Sequence, residues 1–119
     1  MTRKLLLVAG VVLMAALAFA EVAGNNNVAI TDTATNVTFQ TYYAVVLFEN
    51  PQASSSTIYI RLFCDSETVA AATTASPIVL ERGVIKTYTH ERTDCGRGYG
   101  GFSAITATGT TATLRWEAK

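Results

Sequence analysis

The stretch TIYIRLFC, residues 57–64, decides the fold class because its side chains divide into two alternating sets. Successive side chains of a β-strand point to opposite faces, so one predicted face carries Ile58, Ile60, Leu62 and Cys64. The other face carries Tyr59, Arg61 and Phe63. Branched and aromatic residues suit a pleated, half-buried surface, so the pattern predicts a strand whose first face lies in a core.

Similar residue types fill the rest of the chain after residue 24, where patterns typical of helices are nearly absent. Shorter strands are predicted at residues 28–31, 77–81, 84–91, 102–107 and 111–116. The last two of these flank Thr108, Gly109 and Thr110, a sequence that predicts a hairpin turn.

The longest strand candidate is NVTFQTYYAVVLFEN, residues 36–50. Both faces are apolar between residues 42 and 48, which predicts a central strand that stops at Asn50 and Pro51. Residues 66–76 fit either a strand with a small-residue loop or one helical turn. Taken together, about seven strands separated by turn signals predict an all-β fold, a small immunoglobulin-like β-sandwich preceded by a signal-peptide helix.

The N-terminus has the three-part pattern of an export signal. Arg3 and Lys4 give a positive start, residues 5–17 are apolar, and Ala18 and Ala20 are the small residues that a signal peptidase reads. A retained membrane helix is the alternative, because the apolar stretch that runs on from residue 5 is just long enough to span a bilayer.

The expected organisation is a signal peptide at 1–20, a flexible N-terminal arm at 21–36 and a β-sandwich domain at 37–119. The expected location is secreted, extracellular or at the cell surface. The membrane is then contacted only through the export signal, unless residues 5–20 are retained.

The charges of the exported chain are scattered. Without Arg3 and Lys4, seven positive and nine negative side chains remain, a net charge of −2 with the histidine neutral. Nucleic-acid binding requires a basic face, and a polybasic membrane patch requires clustered cations. We therefore expect neither a nucleic-acid partner nor an electrostatic membrane partner.

The two cysteines, Cys64 and Cys95, are predicted to form a disulfide, because exported compartments are usually oxidising. Closing a loop of this length removes roughly 3.5 kcal/mol of unfolded-state entropy in the chain-entropy model. Free thiols and a metal pair are the alternatives, although further metal ligands are missing.

The stretch HERTDCGRGYGGF, residues 90–102, gathers the only histidine, one cysteine and four of the eight glycines. It matches Gly-x-Gly-x-x-Gly, yet strand-like sequence follows where a dinucleotide site needs a helix. A metal held by His90, Glu91, Asp94 and Cys95 is the other chemical reading, although an oxidised Cys95 cannot be a ligand. A single histidine is thin support for zinc or copper, and calcium held by Glu91, Asp94 and loop carbonyls is somewhat better suited. We expect no cofactor, no metal and no catalytic residues. The glycines are expected to turn the backbone, leaving Arg97 and Tyr99 as exposed contact residues.

In outline the chain resembles exported filament subunits, which combine a signal peptide, a short N-terminal arm and an immunoglobulin-like sandwich with one disulfide. The resemblance implies a homo-oligomer or polymer in which the arm NVAIT, through Val28 and Ile30, completes a neighbour's sheet. Chaperone–usher pilins carry a tyrosine near the C-terminus, whereas this chain ends LRWEAK. Archaeal type-IV-like pilins join an apolar helix to a β-domain, but no class III cleavage site precedes the apolar run here.

The sequence thus predicts a non-enzymatic exported structural protein, a subunit of an extracellular filament or surface assembly joined by strand addition. A secreted binding module for a glycan, peptide or surface is the alternative function. Whether the arm pairs with its own sandwich or with a neighbour stays open, because both outcomes cover an exposed sheet edge. The possible subunit interface comprises Val28, Ile30, Arg97 and Tyr99.

Overall fold

The computed structural model describes residues 26–51, 56–90 and 95–119. The predicted signal peptide and the start of the predicted arm lie outside the described residues. The described chain forms eight strands: β1 (Asn26–Ile30), β2 (Thr35–Tyr43), β3 (Val45–Glu49), β4 (Ile58–Cys64), β5 (Ile78–Leu80), β6 (Ile85–Thr89), β7 (Tyr99–Ile105) and β8 (Ala112–Ala118).

The strands form two four-stranded antiparallel sheets that pack face to face. Sheet I has the order β1-β8-β3-β6 and sheet II has the order β2-β7-β4-β5. Within the described ranges there is no helix, which confirms the prediction of an all-β sandwich.

The strand order follows from one long hairpin. β1 pairs with β8, β2 with β7, β3 with β6 and β4 with β5, so the hairpin has its tip between β4 and β5. Rolling this hairpin brings β8 beside β3 and β7 beside β4. Two four-stranded sheets wound in this way form a jelly roll. Immunoglobulin constant-type domains instead divide seven strands between sheets of four and three. The sandwich is therefore as predicted, with eight strands in jelly-roll order.

The predicted hairpin around Gly109 is wrong, although the turn itself forms. Gly109 has a φ of 75°, and the Thr110 N–H donates to the Ala107 carbonyl. The flanking strands β7 and β8 lie in different sheets, because rolling the hairpin carries almost every connection across the sandwich. Among the strands of the described ranges, β4 and β5 alone are both consecutive in the sequence and paired with each other.

Aromatic rings from both sheets fill the centre of the core. Phe39 of β2 stacks on Trp116 of β8 with ring centroids 5.2 Å apart, and Phe48 of β3 meets Phe102 of β7 at 5.0 Å. Phe48 and Phe102 are fully buried, so the rings join sheet I to sheet II through the main hydrophobic contact of the fold.

The segment at 36–50, predicted as one strand, is divided at Ala44 into β2 and β3. The chain crosses between the sheets there, so Tyr43 enters the core from sheet II, and Val46 and Phe48 enter it from sheet I. Because β2 and β3 face the same core from opposite sheets, apolar residues fall on both faces of the pattern that was predicted as one strand. β3 lies inside its sheet, between β8 and β6, as predicted.

Residues 66–76 form an extended loop across the outer face of sheet II rather than a strand or a helical turn. The Ala72 N–H donates to the Ser103 hydroxyl at 2.9 Å, which fixes the loop over β7. Phe63 and Ser103 are buried although they lie outside the main core cluster. The loop therefore adds a thin third layer to this side of the sandwich.

Candidate functional site

The predicted disulfide is confirmed. Cys64 at the end of β4 bonds Cys95, with Cα atoms 4.8 Å apart and a sequence separation of 31. Cys95 is buried and opens the turn that leads into β7. The Asp65 N–H donates to the Gly98 carbonyl at 2.9 Å, so the bridge and the main chain together fix this turn to sheet II.

The glycines of this turn have two different roles. Gly96 and Gly98 have φ values of 60° and 137°, which side chains rarely permit, so they make the turn as predicted. Gly100 and Gly101, expected to share that role, both lie in β7 instead. A Cβ on Gly101 would overlap the Val37 carbonyl of β2 and the Val69 side chain of the outer loop, so this glycine lets both segments approach β7 closely.

Arg97 connects the turn to two neighbouring segments. Its Nε lies 3.2 Å from Asp65 Oδ2, its Nη2 donates to the Tyr42 hydroxyl at 3.2 Å, and its guanidinium sits 4.4 Å from the Tyr42 ring centroid. The side chain remains 75% exposed, in agreement with the predicted surface position. Desolvation raises the pKa of Asp65, but hydrogen bonds from the Arg97 main chain and side chain outweigh it and leave this pKa below its usual value.

Tyr99 differs from its predicted position as an exposed contact residue. It is half-buried and packs against the main core, and it faces Tyr43 and Cys64 in the neighbouring strands. Its ring also meets the His90 ring edge to face at 6.4 Å. Tyr99 is the first residue of β7, and its pairing with β2 and β4 places it within the sheet instead of on an exposed turn.

A cleft of about 410 Å³ lies beside the Arg97 turn, where β2 leaves its ladder with β7 between Thr38 and Tyr43. One wall is the displaced part of β2, the other is the start of the outer loop, and Gly100 contributes to the lining. The lining side chains are mostly hydroxyl, amide and carboxylate groups: Thr38, Gln40, Thr41, Tyr42, Asp65, Glu67 and Thr68, with Phe39 and Val69.

The candidate metal ligands of the sequence are only partly described. Glu91, Arg92 and Asp94 lie outside the described residues, so the His90, Glu91 and Asp94 set has no described geometry. His90 is half-buried and its main-chain N–H donates to the Ala44 carbonyl. Over the described ranges, no three His, Cys, Asp or Glu side chains group closely enough to hold an ion.

The arm segment that carries Val28 and Ile30 forms β1 and pairs with β8 of the same chain. Ile30 is fully buried and Val28 packs against the core, so both side chains serve this chain's own sandwich. The predicted arm at 21–36 therefore contributes to two strands of the domain, since β2 begins at Thr35. Alternating apolar residues next to an open β8 edge account for this placement.

The hydrogen-bond pattern shows which main-chain groups of sheet I point outward. Val45 and Lys119 exchange two main-chain hydrogen bonds, so Lys119 directs its N–H and C=O groups toward β3. Main-chain groups alternate in direction along a strand, so the even-numbered residues of β8 direct theirs toward β1. In the β1–β8 register, Asn27 and Ala29 lie opposite odd-numbered residues of β8. The N–H and C=O groups of Asn27 and Ala29 therefore point away from β8. These groups form the outer edge of the sheet on the β1 side.

The opposite edge of sheet I follows from the same rule. The His90 N–H donates to the Ala44 carbonyl and the Asn50 N–H to the Val84 carbonyl, so even-numbered residues of β6 bond to β3. The N–H and C=O groups of Ile85, Thr87 and Thr89 therefore point away from β3. We call the outward groups of β1 and β6 the two edges of sheet I.

No protein family, curated protein or solved structure compared with this chain matches it. The class is accordingly defined by the structure itself, as a small jelly-roll domain with one disulfide. The helices needed to cross a membrane are absent from the part of the chain that the structure describes. Sequence reasoning predicted the disulfide and the exposed position of Arg97, whereas the cleft and the edge positions of Ala29 and Thr87 were not predicted.

Proposed function

We propose that the protein is an exported, non-enzymatic structural subunit of an extracellular filament or surface assembly, joined by strand addition along sheet I. In this proposal the β1 edge of one copy pairs with the β6 edge of the next. The observation that carries it is that both terminal strands of sheet I are five residues long and regularly paired, with no irregularity in either register.

Exposed sheet edges usually carry features that prevent association, such as charges, proline, bulges or very short strands. Sheet II has two such features, because β5 is only three residues long and β2 is interrupted between Thr38 and Tyr43. β1, with the sequence NNVAI, has neither charge nor proline. The single charge of β6 is on Lys86, whose ammonium donates to the Val79 carbonyl of sheet II.

The order of sheet I also suits addition between identical copies. Neighbouring strands alternate in direction, so β1 and β6 run in opposite directions across the four-stranded sheet. A second copy related by translation therefore places its β1 antiparallel to β6 of the first copy. Head-to-tail contacts of this kind do not close on themselves, so repetition produces a filament.

Side chains at the β6 edge favour contact with another protein surface. Ile85 is 54% exposed, and Thr87 and Thr89 share its outward face. A disulfide is compatible with an oxidising compartment, which agrees with the expected export. The proposed contact leaves β1 in its own sheet and uses main-chain groups that β8 does not engage.

The test uses proline to remove one outward N–H from either edge. Thr87→Pro blocks the β6 edge and Ala29→Pro blocks the β1 edge, and proline is tolerated at edge strands. Thr87→Ala and Ala29→Ser retain the N–H and serve as matched controls. Analytical ultracentrifugation over a wide concentration range measures the size of each protein, with Trp116 fluorescence as the check of folding.

We expect the wild type and the two controls to form a series of oligomers that grows with concentration. Each proline variant alone should remain monomeric, and a mixture of the two should form a one-to-one dimer through the remaining β1 and β6 edges. A monomeric wild type, or folded proline variants that assemble like the wild type, would refute strand addition. Dimers of Thr87→Pro alone would refute the head-to-tail arrangement.

The second candidate function is a secreted binding module. The cleft beside Tyr42 and Arg97 favours it, because concave sites with a few convergent polar groups are typical of ligand binding. This function does not compete for the edges of sheet I, since the cleft lies on sheet II.

A further inference from the structure

We infer that the cleft on sheet II binds a neutral carbohydrate. This inference assigns the ligand class of the second candidate function and is independent of strand addition. The cleft volume of about 410 Å³ falls within the range of roughly 300–1,000 Å³ that is usual for small-molecule sites.

The polar groups of the cleft match a ligand that is rich in hydroxyl groups. Thr38, Thr41 and Thr68 supply hydroxyls that both donate and accept, and Gln40 supplies an amide with both functions. Asp65 and Glu67 add carboxylate oxygens, which only accept. A sugar hydroxyl both donates and accepts, so it can use every one of these groups.

The charges of the cleft are already engaged within the protein. Asp65 Oδ2 accepts from the Arg97 main-chain N–H and from Nε, at 3.1 and 3.2 Å. Glu67 Oε1 accepts from the Cys64 N–H at 3.0 Å. These contacts leave acceptor capacity on both carboxylates. The Arg97 guanidinium offsets the charge of Asp65, whereas the neutral Cys64 N–H leaves Glu67 negative, so the cleft disfavours anions and suits an uncharged, hydroxyl-rich ligand.

Tyr42 provides the apolar surface that a sugar ring requires. It is 41% exposed and lines the cleft, while the Arg97 guanidinium above its ring and the bond to its hydroxyl hold it in place. Aromatic side chains present a large contact area at a low cost in conformational entropy. The C–H face of a sugar can pack on the part of the ring that Arg97 leaves open, while the hydroxyls bond to the polar wall.

The cleft is also preorganised, which lowers the entropic cost of binding. The disulfide fixes the end of β4 to the turn that carries Arg97. The outer loop is held by the bond from Ala72 to Ser103, and Ser103 in turn donates to the Asn36 side chain at 2.6 Å. Both walls are therefore supported by contacts that do not involve the ligand.

The experiment is a titration of the ¹⁵N-labelled full chain, followed residue by residue with amide NMR spectra. The probes are short neutral cello-, xylo-, manno- and chito-oligosaccharides, each at up to about 10 mM, where even a Kd of about 1 mM gives a clear signal. A mixture of random hexapeptides serves as the second class of probe. Tyr42→Ala and Gln40→Ala test the cleft, and Tyr59→Ala is a control on the same sheet outside it.

We expect at least one oligosaccharide to shift the amides of residues 38–42, 67–69 and 100, and Tyr42→Ala to weaken its binding by roughly tenfold or more. Gln40→Ala, at an exposed position, should weaken it without affecting folding, and Tyr59→Ala should bind normally. The inference is overturned if no oligosaccharide shifts these amides, or if Tyr42→Ala and Gln40→Ala both bind normally. Shifts with the hexapeptides alone would overturn the carbohydrate assignment and leave the binding module in place.

Discussion

Removing the disulfide is expected to cost a large share of the stability of this domain. The perturbation is the double substitution Cys64→Ala with Cys95→Ala, at positions 31 residues apart in the sequence. The cross-link restricts the unfolded chain, and for a loop of this length the lost entropy corresponds to roughly 3.5 kcal/mol. The free energy of unfolding of a domain of this size is only about 5–15 kcal/mol, so the disulfide accounts for a large share of it.

The assay is urea unfolding followed by the fluorescence of Trp116, the only tryptophan, which is buried in the core. With a urea m-value of about 1–3 kcal/mol/M, the midpoint should fall by roughly 1–3.5 M. Reduction of the wild type without substitution is the control, and it should lower the midpoint by a similar amount. A fall of less than about 0.3 M in both experiments would refute this account of the bond.

Three further substitutions test separate parts of the fold. Ile30→Ala removes a fully buried side chain of β1, so urea unfolding should show a loss of about 2–5 kcal/mol, and a loss near zero would mean that β1 does not occupy this core. Asn50→Ala leaves the Ser56 and Leu80 carbonyls without their amide donor, which should cost about 1–3 kcal/mol in the same assay; an unchanged midpoint would contradict it. Because the folded-state pKa of Asp65 is lowered, its contribution is present above the ordinary value of 3.8 and is lost as the pH falls through the folded-state pKa. The stability difference between wild type and Asp65→Asn should therefore shrink between pH 7 and about pH 3, and a difference that grew on acidification would contradict the lowered pKa of Asp65.

The sequence was sufficient for the fold class because strand alternation is a local property. The two faces of residues 57–64 were assigned from period two alone, and Ile58 and Ile60 do lie in the core. Strand order depends instead on which distant segments meet. The turn at Gly109 reads like a hairpin, and only the rolled topology places its two strands in different sheets.

The features of the site that depend on local sequence were predicted, and those that depend on contacts between distant segments were not. The disulfide was predicted from an even number of cysteines in a chain whose N-terminal sequence has the pattern of an export signal. The cleft could not be predicted, because it arises where β2 separates from β7 and a loop from elsewhere in the chain covers the sheet. The edges of sheet I could not be predicted either, since an edge exists only relative to the order of the other strands. The absence of charge in β1 was nevertheless visible in the sequence.

Hydrogen–deuterium exchange at the main-chain amides of Ala29 and Thr87 tests strand addition most directly. Both amides point away from the neighbouring strand of their own sheet, so they exchange rapidly in a monomer and slowly when another copy pairs with that edge. We predict that both amides become protected as the wild-type protein is concentrated, while the Ala29 amide stays rapid in Thr87→Pro. Equally rapid exchange of both amides in dilute and concentrated wild-type protein would contradict the proposed assembly.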